Sequence, residues 1–432
     1  MAERYRVLVF PSCNEPGLEV VESLLKSNKV EVFAGSSPAY VEFDPSRLQL
    51  ENYVVCPQFG APGFRESFER LLAEQRIGLV FPTVDSLVAE FSSWRLPNTT
   101  FVTPREEIAR LVASKSETYR RLEGIVPVPK LYAHGSAPIP AFAKPDAGGG
   151  AKGAFHARTE RDLGVAEERE LLLSEYLPGD EYTVDCLGDL SGNLLYCGVR
   201  LRGSVGRSIS LGTKQVRDEE IEGNVRAIAK ELRIEGPWFA QFKRNVEGRP
   251  VLLEINARGG GSTGLTRLGG VNIPLLSVFI YHRIPVEVPR PRTGMTVVRR
   301  LRNLVDGVAP DVVIWDLDDT LIRKDGKPDP DAMACLFDLR NRGRRQFLLT
   351  KNREATSLIQ GHKIPNVFEA VSVAEDKLVG LETMLREHGL DATSCALIND
   401  SYTENLLIQK RVPGLLTVTP DALELLGREK VC

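Results

Sequence analysis

Three polar residues alternate along a short apolar run near the middle of the chain. Glu254, Asn256 and Arg258 stand two positions apart, directly before the glycines at 259–261. Residues two apart in a strand point to the same side, so all three side chains face one way. Carboxylate and amide oxygens suit Mg²⁺, and a guanidinium suits a transferring phosphoryl group. The pattern predicts a phosphate-handling site; its alternative is a solvated strand face.

A glycine-rich loop follows a strand-like run at 141–144. Lys144 ends this run, and Gly148, Gly149 and Gly150 follow shortly after it. Glycines let backbone N–H groups close around phosphate oxygens, and a lysine adds a point charge. The spacing is not that of a Walker motif. The loop therefore predicts phosphate binding, with an ordinary flexible surface loop as the alternative.

Two further strand-like runs complete this central group. One reaches a turn at Pro178 and Gly179 and resumes at Glu181 with alternating polarity, and Gln241 is expected to end the strand at 238–241. A strand crossing of this kind presents backbone groups to an adenine edge and a carboxylate to ribose hydroxyls. An ordinary hairpin explains the same pattern equally well.

A second group of chemically capable residues lies near the carboxyl end. Asp316 and Asp318 follow the apolar run 312–315, Thr350 ends the run 346–350, and Asp400 follows the run 396–398. In such a site Asp316 attacks a phosphorus atom and Asp318 serves as general acid or base beside Mg²⁺. Lys377 stands at a predicted helix start. An acidic loop at the strand end is the alternative.

The elements that must position these residues divide the chain into three parts. Strand-like runs at 7–10, 30–34 and 78–82 alternate with helical patterns at 17–26 and 64–75, which predicts a Rossmann-like parallel sheet. The middle part is mixed α+β, with helices at 105–123 and 219–232 and strands near 141–144, 171–176, 181–188, 194–200 and 250–256. From Asp311 a new βα rhythm begins. The predicted domains are 1–103, 104–305 with an internal junction near 177, and 306–432.

Composition restricts the class of protein. The chain has 432 residues, 42% apolar and 26% charged, with a formal charge of -3. These values exclude a single small module and wholesale disorder, and they argue against a general nucleic-acid or membrane-surface binder. The seven cysteines are scattered without C-x-x-C spacing, which favours reduced thiols in the cytoplasm. No apolar run approaches the length of a membrane span.

The central group resembles the ATP-grasp superfamily over about residues 1–303, with the first hundred residues similar to its preceding Rossmann-like domain. The resemblance implies that Lys115 and Lys144 bind phosphates beneath the Gly148–Gly150 loop. It also implies an adenine-side hinge and a ribose contact, formed by Glu175, Tyr176, Leu177 and Glu181. Gln241, Glu254 and Asn256 would hold Mg²⁺ or Mn²⁺, and Arg258 would steady the phosphoryl group. Arg200 and Arg202 are expected to add positive charge, unless they are ordinary exposed strand arginines.

The carboxyl-terminal group resembles the haloacid-dehalogenase (HAD) superfamily over about residues 310–420. This implies a Rossmannoid domain in which Asp316 is the nucleophile and Asp318 the acid or base, with Thr350 and Lys377 as phosphate stabilisers. Asp400, supported by Glu404, would hold Mg²⁺ with the Asp316 side chain and the Asp318 backbone. The short segments from Asp316 to Thr350 and from Thr350 to Lys377 leave no room for a cap domain.

Together the two resemblances imply a bifunctional cytoplasmic enzyme. An ATP-dependent carboxylate–amine or carboxylate–thiol ligase, working through an acyl phosphate, is expected to be fused to an Mg²⁺-dependent phosphatase. One alternative keeps the HAD-like part as a non-catalytic docking domain, and another makes the ATP-grasp part a kinase or a carboxyphosphate-forming enzyme. Expected partners are a small carboxylate, an amine or other nucleophile, and a phosphorylated small molecule or carrier-bound phosphoester. A homodimer is a possible assembly.

Overall fold

The chain folds into two compact units. The structure is a computed structural model that describes residues 4–149, 152–203, 205–206, 209–210, 212–299, 303–364 and 366–426. Unit 1 contains the described residues up to 299, and unit 2 contains those from 303 to 426. Each unit has its own sheets and apolar cores.

Unit 1 begins with a five-stranded parallel sheet in the order β3-β2-β1-β4-β5. Its strands are β1 Tyr5–Phe10, β2 Val30–Ser36, β3 Tyr53–Val55, β4 Leu79–Pro82 and β5 Thr100–Phe101. Its helices are α1 Glu15–Leu24, α2 Pro45–Gln49, α3 Phe64–Glu74 and α4 Asp85–Ser92, with a 3₁₀ helix at Pro38–Phe43. The central strands are apolar and buried on both faces, as parallel sheets require. The predicted Rossmann-like sheet is confirmed.

A four-stranded antiparallel sheet follows, in the order β6-β9-β7-β8. Its strands are β6 Leu131–Tyr132, β7 Ala141–Lys144, β8 Phe155–Ala157 and β9 Leu172–Glu175. Helix α7, Glu160–Glu168, begins with a capping box formed by Thr159 and Asp162 and packs on β7 and β8. This small layer carries Lys144 at the end of β7.

The remainder of unit 1 is built on a six-stranded antiparallel sheet in the order β16-β15-β10-β11-β14-β17. The strands are β10 Glu181–Gly188, β11 Leu194–Arg202, β14 Gly212–Gln215, β15 Gly236–Arg244, β16 Pro250–Asn256 and β17 Thr296–Val298, beside the separate pair β12 Val205–Gly206 and β13 Ile209–Ser210. The helices are α5 Glu106–Ala113, α6 Lys115–Leu122, α8 Glu219–Leu232, α9 Gly264–Leu268 and α10 Ile273–Tyr281. The buried face of α8 packs on this sheet around Trp238.

The prediction of a single helix at 105–123 is wrong, because Ser114 interrupts it between α5 and α6. Ser114 is extended, with φ -108° and ψ 122°, and its side chain accepts a hydrogen bond from the Glu117 N–H at the start of α6. Its hydroxyl also donates to Asp146 Oδ2 at 2.7 Å. Serine favours this capping role over a helix interior, and the partner Asp146 is remote in sequence.

Unit 2 contains a five-stranded parallel sheet in the order β20-β19-β18-β21-β22. Its strands are β18 Val312–Trp315, β19 Arg345–Thr350, β20 Ala370–Val373, β21 Cys395–Ile398 and β22 Leu416–Val418. Its helices are α11 Pro330–Asn341, α12 Ala355–Gly361, α13 Lys377–Glu387 and α14 Tyr402–Arg411, with 3₁₀ helices at Ala392–Ser394 and Pro420–Leu426. The predicted βα rhythm is confirmed, and the carboxyl ends of β18, β19 and β21 meet at one edge.

Two general features concern the whole described chain. None of the helices in the described ranges has both the length and the apolar character needed to cross a bilayer. The cysteines within those ranges are all free thiols: Cys13, Cys56, Cys186, Cys197, Cys335 and Cys395.

Candidate functional site

Unit 1 contains an open cavity of about 570 Å³. Its wall draws on the Rossmann-like part through Glu15 and Pro16, on β7 and the following loop, and on the six-stranded sheet. Of the predicted residues, it brings together Lys115, Lys144, Gly148, Gly149, Glu181, Arg200, Arg202, Gln241, Glu254 and Arg258. Gly150 lies outside the described residues. These residues are widely separated in the sequence, and the fold brings them together around one cavity.

Lys144 is held rigidly at the end of β7. Its Nζ donates to Tyr119 Oη at 2.6 Å and to the Leu253 carbonyl oxygen at 3.4 Å, and the Tyr119 hydroxyl donates to that same carbonyl. The lysine side chain is buried, which lowers its pKa to about 8 although the Glu254 carboxylate opposes the shift. A buried, immobilised cation of this kind suits a phosphate.

Tyr119 was missed by the sequence analysis. It is buried on α6, one helical turn after Lys115, and burial raises the pKa of its hydroxyl well above its usual value. The i, i+4 spacing from a predicted phosphate-binding lysine was the available signal. The aromatic residue was indistinguishable from ordinary core without the tertiary structure.

Lys115 joins the glycine loop to the acidic side of the cavity. Its Nζ donates to the Gly148 carbonyl oxygen at 2.7 Å and to that of Asp146 at 3.3 Å. The same nitrogen lies 3.8 Å from Glu254 Oε2. The first residue of α6 thus contacts both the loop and the carboxylate that was predicted to hold a metal.

Asp146 ties the loop to the start of α6. Its carboxylate accepts hydrogen bonds from Ser114 Oγ at 2.7 Å, the Ser116 N–H at 2.7 Å and Ser116 Oγ at 3.0 Å. Burial would raise the pKa of Asp146, but the bonds from Ser116 and Ser114 outweigh it, and the pKa is lowered. The carboxylate therefore fixes the position from which Lys115 reaches the loop.

Four residues form a hydrogen-bonded chain across β10, β11, β15 and β16. Gln241 and Glu254 are register partners. When the Gln241 amide is oriented to satisfy both of its neighbours, its nitrogen donates to Glu254 Oε1 at 3.0 Å and its oxygen accepts from Arg202 Nη1 at 3.1 Å. Arg202 in turn pairs with Glu181. Gln241 does not end its strand as predicted, since β15 continues to Arg244 with Phe242 fully buried.

Asn256 stands apart from this chain. It pairs with Phe239 across the strands, is 7% exposed and is not part of the cavity wall. Its Nδ2 has no hydrogen-bond partner among the described residues. The fold thus places Gln241 and Glu254 side by side at the cavity, whereas the predicted contribution of Asn256 stays a prediction.

Two arginines of the cavity wall are fixed by aspartates that the sequence analysis did not single out. Arg258 makes a bidentate pair with Asp85 at the start of α4, with distances of 2.8 and 3.0 Å. Arg200 makes a bidentate pair with buried Asp185, with both distances at 2.9 Å. Bidentate pairs hold the guanidinium plane in one orientation. Asp85 is far from Arg258 in the sequence, so no local pattern predicted that the two would pair.

The predicted adenine-side residues lie outside the cavity wall. Glu175 Oε1 accepts from the Lys130 N–H at 3.2 Å, and Leu177 is buried. The Tyr176 ring stacks on His156, with ring centroids 3.8 Å apart and planes 2° from parallel. Their contact with an adenine stays a prediction.

Unit 2 has a second polar cluster at the carboxyl ends of its strands. Asp316 follows β18 and is 4% exposed, and Lys377 Nζ lies 2.9 Å from its Oδ2. The same Nζ donates to Asn399 Oδ1 at 2.7 Å and lies 3.0 Å from Glu404 Oε2. Burial raises the pKa of Asp316, although the charge and hydrogen bond of Lys377 oppose the shift. Lys377 is therefore the central cation of this cluster.

The other predicted residues of unit 2 surround this pair. Thr350 is buried and its Oγ1 accepts from the Asn352 N–H at 3.1 Å, while exposed Asp318 accepts from Asn352 Nδ2 at 2.9 Å. Asp400 is exposed and lies close enough for its charge to raise the Asp316 pKa. No set of three or more acidic, histidine or cysteine side chains is arranged around a metal position within the described ranges. The predicted set uses only two carboxylate side chains and a backbone oxygen, so it stays a prediction.

A comparison with known protein families gives a match to part of unit 1. The sequence profile of the family described as "ATP-grasp in the biosynthetic pathway with Ter operon" matches residues 167–302. Unit 1 carries an ATP-grasp domain. That domain supplies the six-stranded sheet that carries Glu181, Gln241 and Glu254, and Arg258 follows its strand β16. No curated protein matches the chain.

Solved structures agree with this assignment of the fold. The biotin carboxylase domain of 2-oxoglutarate carboxylase from Hydrogenobacter thermophilus, a dimer in complex with MgADP, ADP and bicarbonate, is 20% identical with a TM-score of 0.56, covering 67% of this chain and 73% of its own. An N5-carboxyaminoimidazole ribonucleotide synthetase in its ADP complex is 14% identical with a TM-score of 0.54, covering 66% and 79%. An L-amino acid ligase from Bacillus licheniformis is 15% identical with a TM-score of 0.52, covering 66% and 75%. At these identities the likeness concerns the ATP-grasp fold.

Proposed function

We propose that the protein is an ATP-dependent ligase that activates a carboxylic acid as an acyl phosphate, fused to an Mg²⁺-dependent phosphatase. The main support for the proposed ligase activity is that Lys115, Lys144 and Glu254 all line one cavity of the ATP-grasp domain. Two neighbours of the same fold hold ADP, which supports a nucleotide in this cavity. The lysines would bind the phosphates and the Gly148–Gly150 loop would cover them.

The donor set beside the lysines fits Mg²⁺. Gln241 and Glu254 face the cavity as register partners and offer amide and carboxylate oxygens, the ligands this ion prefers. Asn256 would complete the set. When bound there, Mg²⁺ neutralises charge on the phosphates of ATP. Lys115, 3.8 Å from Glu254 Oε2, would orient that carboxylate toward the phosphates.

The reaction needs positioned cations rather than a protein nucleophile. An oxygen of the acid attacks the γ-phosphorus of ATP, the bond to the β-phosphate oxygen breaks, and ADP leaves with the electron pair. Arg258, fixed by Asp85, would stabilise charge on the transferred group. An amine or thiol then attacks the acyl carbon, inorganic phosphate leaves, and the proton of the nucleophile passes to solvent. The cavity supplies orientation and electrostatic stabilisation.

Unit 2 would hydrolyse a phosphoester by the chemistry of the HAD superfamily. Asp316 attacks phosphorus, and the leaving oxygen takes a proton from Asp318. Water, with its proton accepted by Asp318, then releases phosphate from the aspartyl phosphate. Lys377, 2.9 Å from Asp316, would stabilise both the ionised nucleophile and the transferred phosphoryl group. Mg²⁺ held by Asp316, Asp400 and the Asp318 backbone would neutralise the phosphoester charge.

The sequence of events is tested by mass spectrometry of a cell extract incubated with ATP, Mg²⁺ and either the wild-type protein or Asp316→Asn. Consecutive action predicts that the variant accumulates a phosphorylated conjugate that the wild type converts to its dephosphorylated form. Asp325→Asn, on an exposed aspartate that pairs with Arg323, is the matched control and should behave as wild type.

Other outcomes separate the alternatives. Identical products from wild type and Asp316→Asn would mean that the two units do not act in sequence and would favour a docking role for unit 2. A stable phosphorylated product formed by unit 1 without release of inorganic phosphate would replace the ligase with a kinase. Formation of ADP without any modified acid would contradict both.

A further inference from the structure

Part of the cavity wall is formed around two glycines that the nucleotide and metal ligands do not use. A Cβ added to Gly260 would lie 3.4 Å from Phe239 Cδ1 and 3.5 Å from Arg200 Nη2. A Cβ added to Gly261 would lie 2.9 Å from Glu15 Cβ, too close for any side chain. We call this part of the wall, Glu15, Arg200, Phe239, Gly260 and Gly261, the glycine-pair subsite. The two glycines allow the Arg200 guanidinium and the start of α1 at Glu15 to approach the same short segment.

Arg200 is the cationic element of the subsite. The residue is 3% exposed, and its Nε and Nη2 donate to Asp185, which is completely buried. Thr266 Oγ1 donates to the same carboxylate at 2.7 Å. Within the described ranges, Nη1 has no protein acceptor, although the residue lines the cavity. A buried guanidinium held in a bidentate pair by one carboxylate and still able to donate is a built site for an anion such as a carboxylate.

Glu15 is the anionic element. It is the first residue of α1 and lines the cavity. The other wall carboxylates, Glu181 and Glu254, have ion-pair partners, whereas the described residues supply none for Glu15. Burial lowers the pKa of the Arg299 guanidinium, and the charges of Glu19 and then Glu15 oppose this shift. The Arg299 guanidinium itself donates to the Gly261 carbonyl oxygen. Glu15 is thus the wall carboxylate left to bind a cation.

We propose that the glycine-pair subsite binds the acid substrate of the ligase as an amino acid, with its carboxylate at Arg200 and its ammonium group at Glu15. This inference rests on the proposed ligase function of unit 1. Phe239 links the subsite to the reacting centre, since the Arg258 guanidinium lies 5.4 Å from the centroid of its ring. A carboxylate at Arg200 therefore shares one wall with the arginine that would stabilise the phosphoryl group.

The chemical step keeps the ammonium group unchanged. A carboxylate oxygen of the amino acid bonds to the γ-phosphorus, the bond to the β-phosphate oxygen breaks, and ADP departs. Hydroxylamine added in place of the natural nucleophile then attacks the acyl carbon through its nitrogen, the bond to the phosphate oxygen breaks, and phosphate leaves. The nitrogen loses one proton to solvent, and an aminoacyl hydroxamate forms. This product identifies which acid was activated even when the natural nucleophile is unknown.

The test incubates the full-length protein with ATP, Mg²⁺, hydroxylamine and one of the twenty L-amino acids, or with its N-acetyl or desamino counterpart. Hydroxamate is identified by mass and ADP is quantified. We expect hydroxamate from one or a few free amino acids and at least tenfold less from the counterparts. Glu15→Gln should lower kcat/KM for the amino acid at least tenfold, leave the KM for ATP within twofold, and reduce the preference over the desamino acid. Glu22→Gln, an exposed position on the same helix, should match wild type.

Four results would overturn the proposal. Equal hydroxamate from desamino acids, or an unchanged preference in Glu15→Gln, would remove the ammonium contact while leaving the ligase function in place. Amino acids that enter the product only as the nucleophile, with hydroxamate formed from another acid, would do the same. No hydroxamate and no ADP from any amino acid or from either of its counterparts would contradict the proposed function itself.

Discussion

The Lys144 ammonium donates a hydrogen bond of 2.6 Å to the Tyr119 hydroxyl, which itself donates a hydrogen bond to the Leu253 carbonyl oxygen. The tyrosine hydroxyl therefore orients the Lys144 ammonium by accepting its hydrogen bond, and it leaves the positive charge on the lysine. Because α6 carries both Tyr119 and Lys115, one helix positions both cations of the proposed phosphate site. This gives the helix a role that neither lysine alone would reveal.

Replacing Tyr119 with Phe should weaken ATP binding. Loss of a buried hydrogen-bonding hydroxyl costs about 1–3 kcal/mol, and part of this loss should appear as a rise of several-fold in the KM for ATP. Tyr281→Phe is the matched control, because the Tyr281 hydroxyl donates to the Thr103 carbonyl at 2.8 Å and is not part of the cavity wall. Both variants should unfold at lower denaturant concentration, but only Tyr119→Phe should change the KM. Equal KM values in the two variants would contradict the positioning role.

The KM for ATP should depend on pH through Lys144. Burial lowers the pKa of this lysine to about 8, so its charge is present below that pH and is lost as the pH rises through it. We expect the KM to rise between about pH 7 and 9 in steady-state assays at constant ionic strength. Lys144→Arg keeps the charge throughout this range and should flatten the profile. A wild-type profile no steeper than that of the arginine variant would exclude Lys144 as the titrating group.

Glu254→Gln should raise the requirement for Mg²⁺. The substitution keeps the shape of the side chain but removes the charge beside Lys115 and Gln241. We expect the Mg²⁺ concentration for half-maximal ADP formation to rise about 10–100-fold. Glu247→Gln, in the exposed turn between β15 and β16, should leave it unchanged. Wild-type Mg²⁺ dependence in Glu254→Gln would exclude this carboxylate from the metal site.

Asp185→Asn should lower the free energy of unfolding of unit 1 by more than the loss of an exposed ion pair does. The change leaves the Arg200 guanidinium buried without a counterion, which costs about 3–5 kcal/mol. Glu69→Gln breaks the exposed Arg65–Glu69 pair and should cost less than about 0.5 kcal/mol. Denaturant unfolding followed by the fluorescence of Trp94 and Trp238 in a Trp315→Phe background reports on unit 1. Similar midpoints for both variants would contradict a supporting role for the buried pair.

The proposed phosphatase should lose activity at acid pH as Asp316 takes up a proton. Burial raises the pKa of Asp316 and Lys377 opposes this, so the acid limb should lie above the usual range of an aspartate. Lys377→Met removes the opposing charge and should move the acid limb to higher pH as well as lowering kcat. Lys377→Arg keeps the positive charge, so it should return the acid limb to nearly its wild-type pH while restoring kcat less fully. The profiles are measured with p-nitrophenyl phosphate, and an unshifted limb in Lys377→Met would contradict the coupling.

Local sequence patterns were sufficient for most elements. The apolar runs that became β1, β4 and β18 were recognisable because parallel strands are buried on both faces. Lys144 at a strand end and Lys377 at a helix start were placed correctly for similar reasons. The break at Ser114 was not predictable from its neighbours, because its partner Asp146 becomes adjacent only in the fold.

The sequence by itself determined the two βα-rich parts, the mixed part between them and the residue types able to bind phosphates and Mg²⁺, since these follow from periodicity and from side-chain chemistry. Only the tertiary structure decided which groups meet. It paired Arg258 with Asp85 and Arg200 with Asp185, set Gln241 opposite Glu254, and left Glu15 without an ion-pair partner among the described residues of the cavity wall. These relationships depend on strand register and on contacts between residues remote in sequence, which no local pattern encodes.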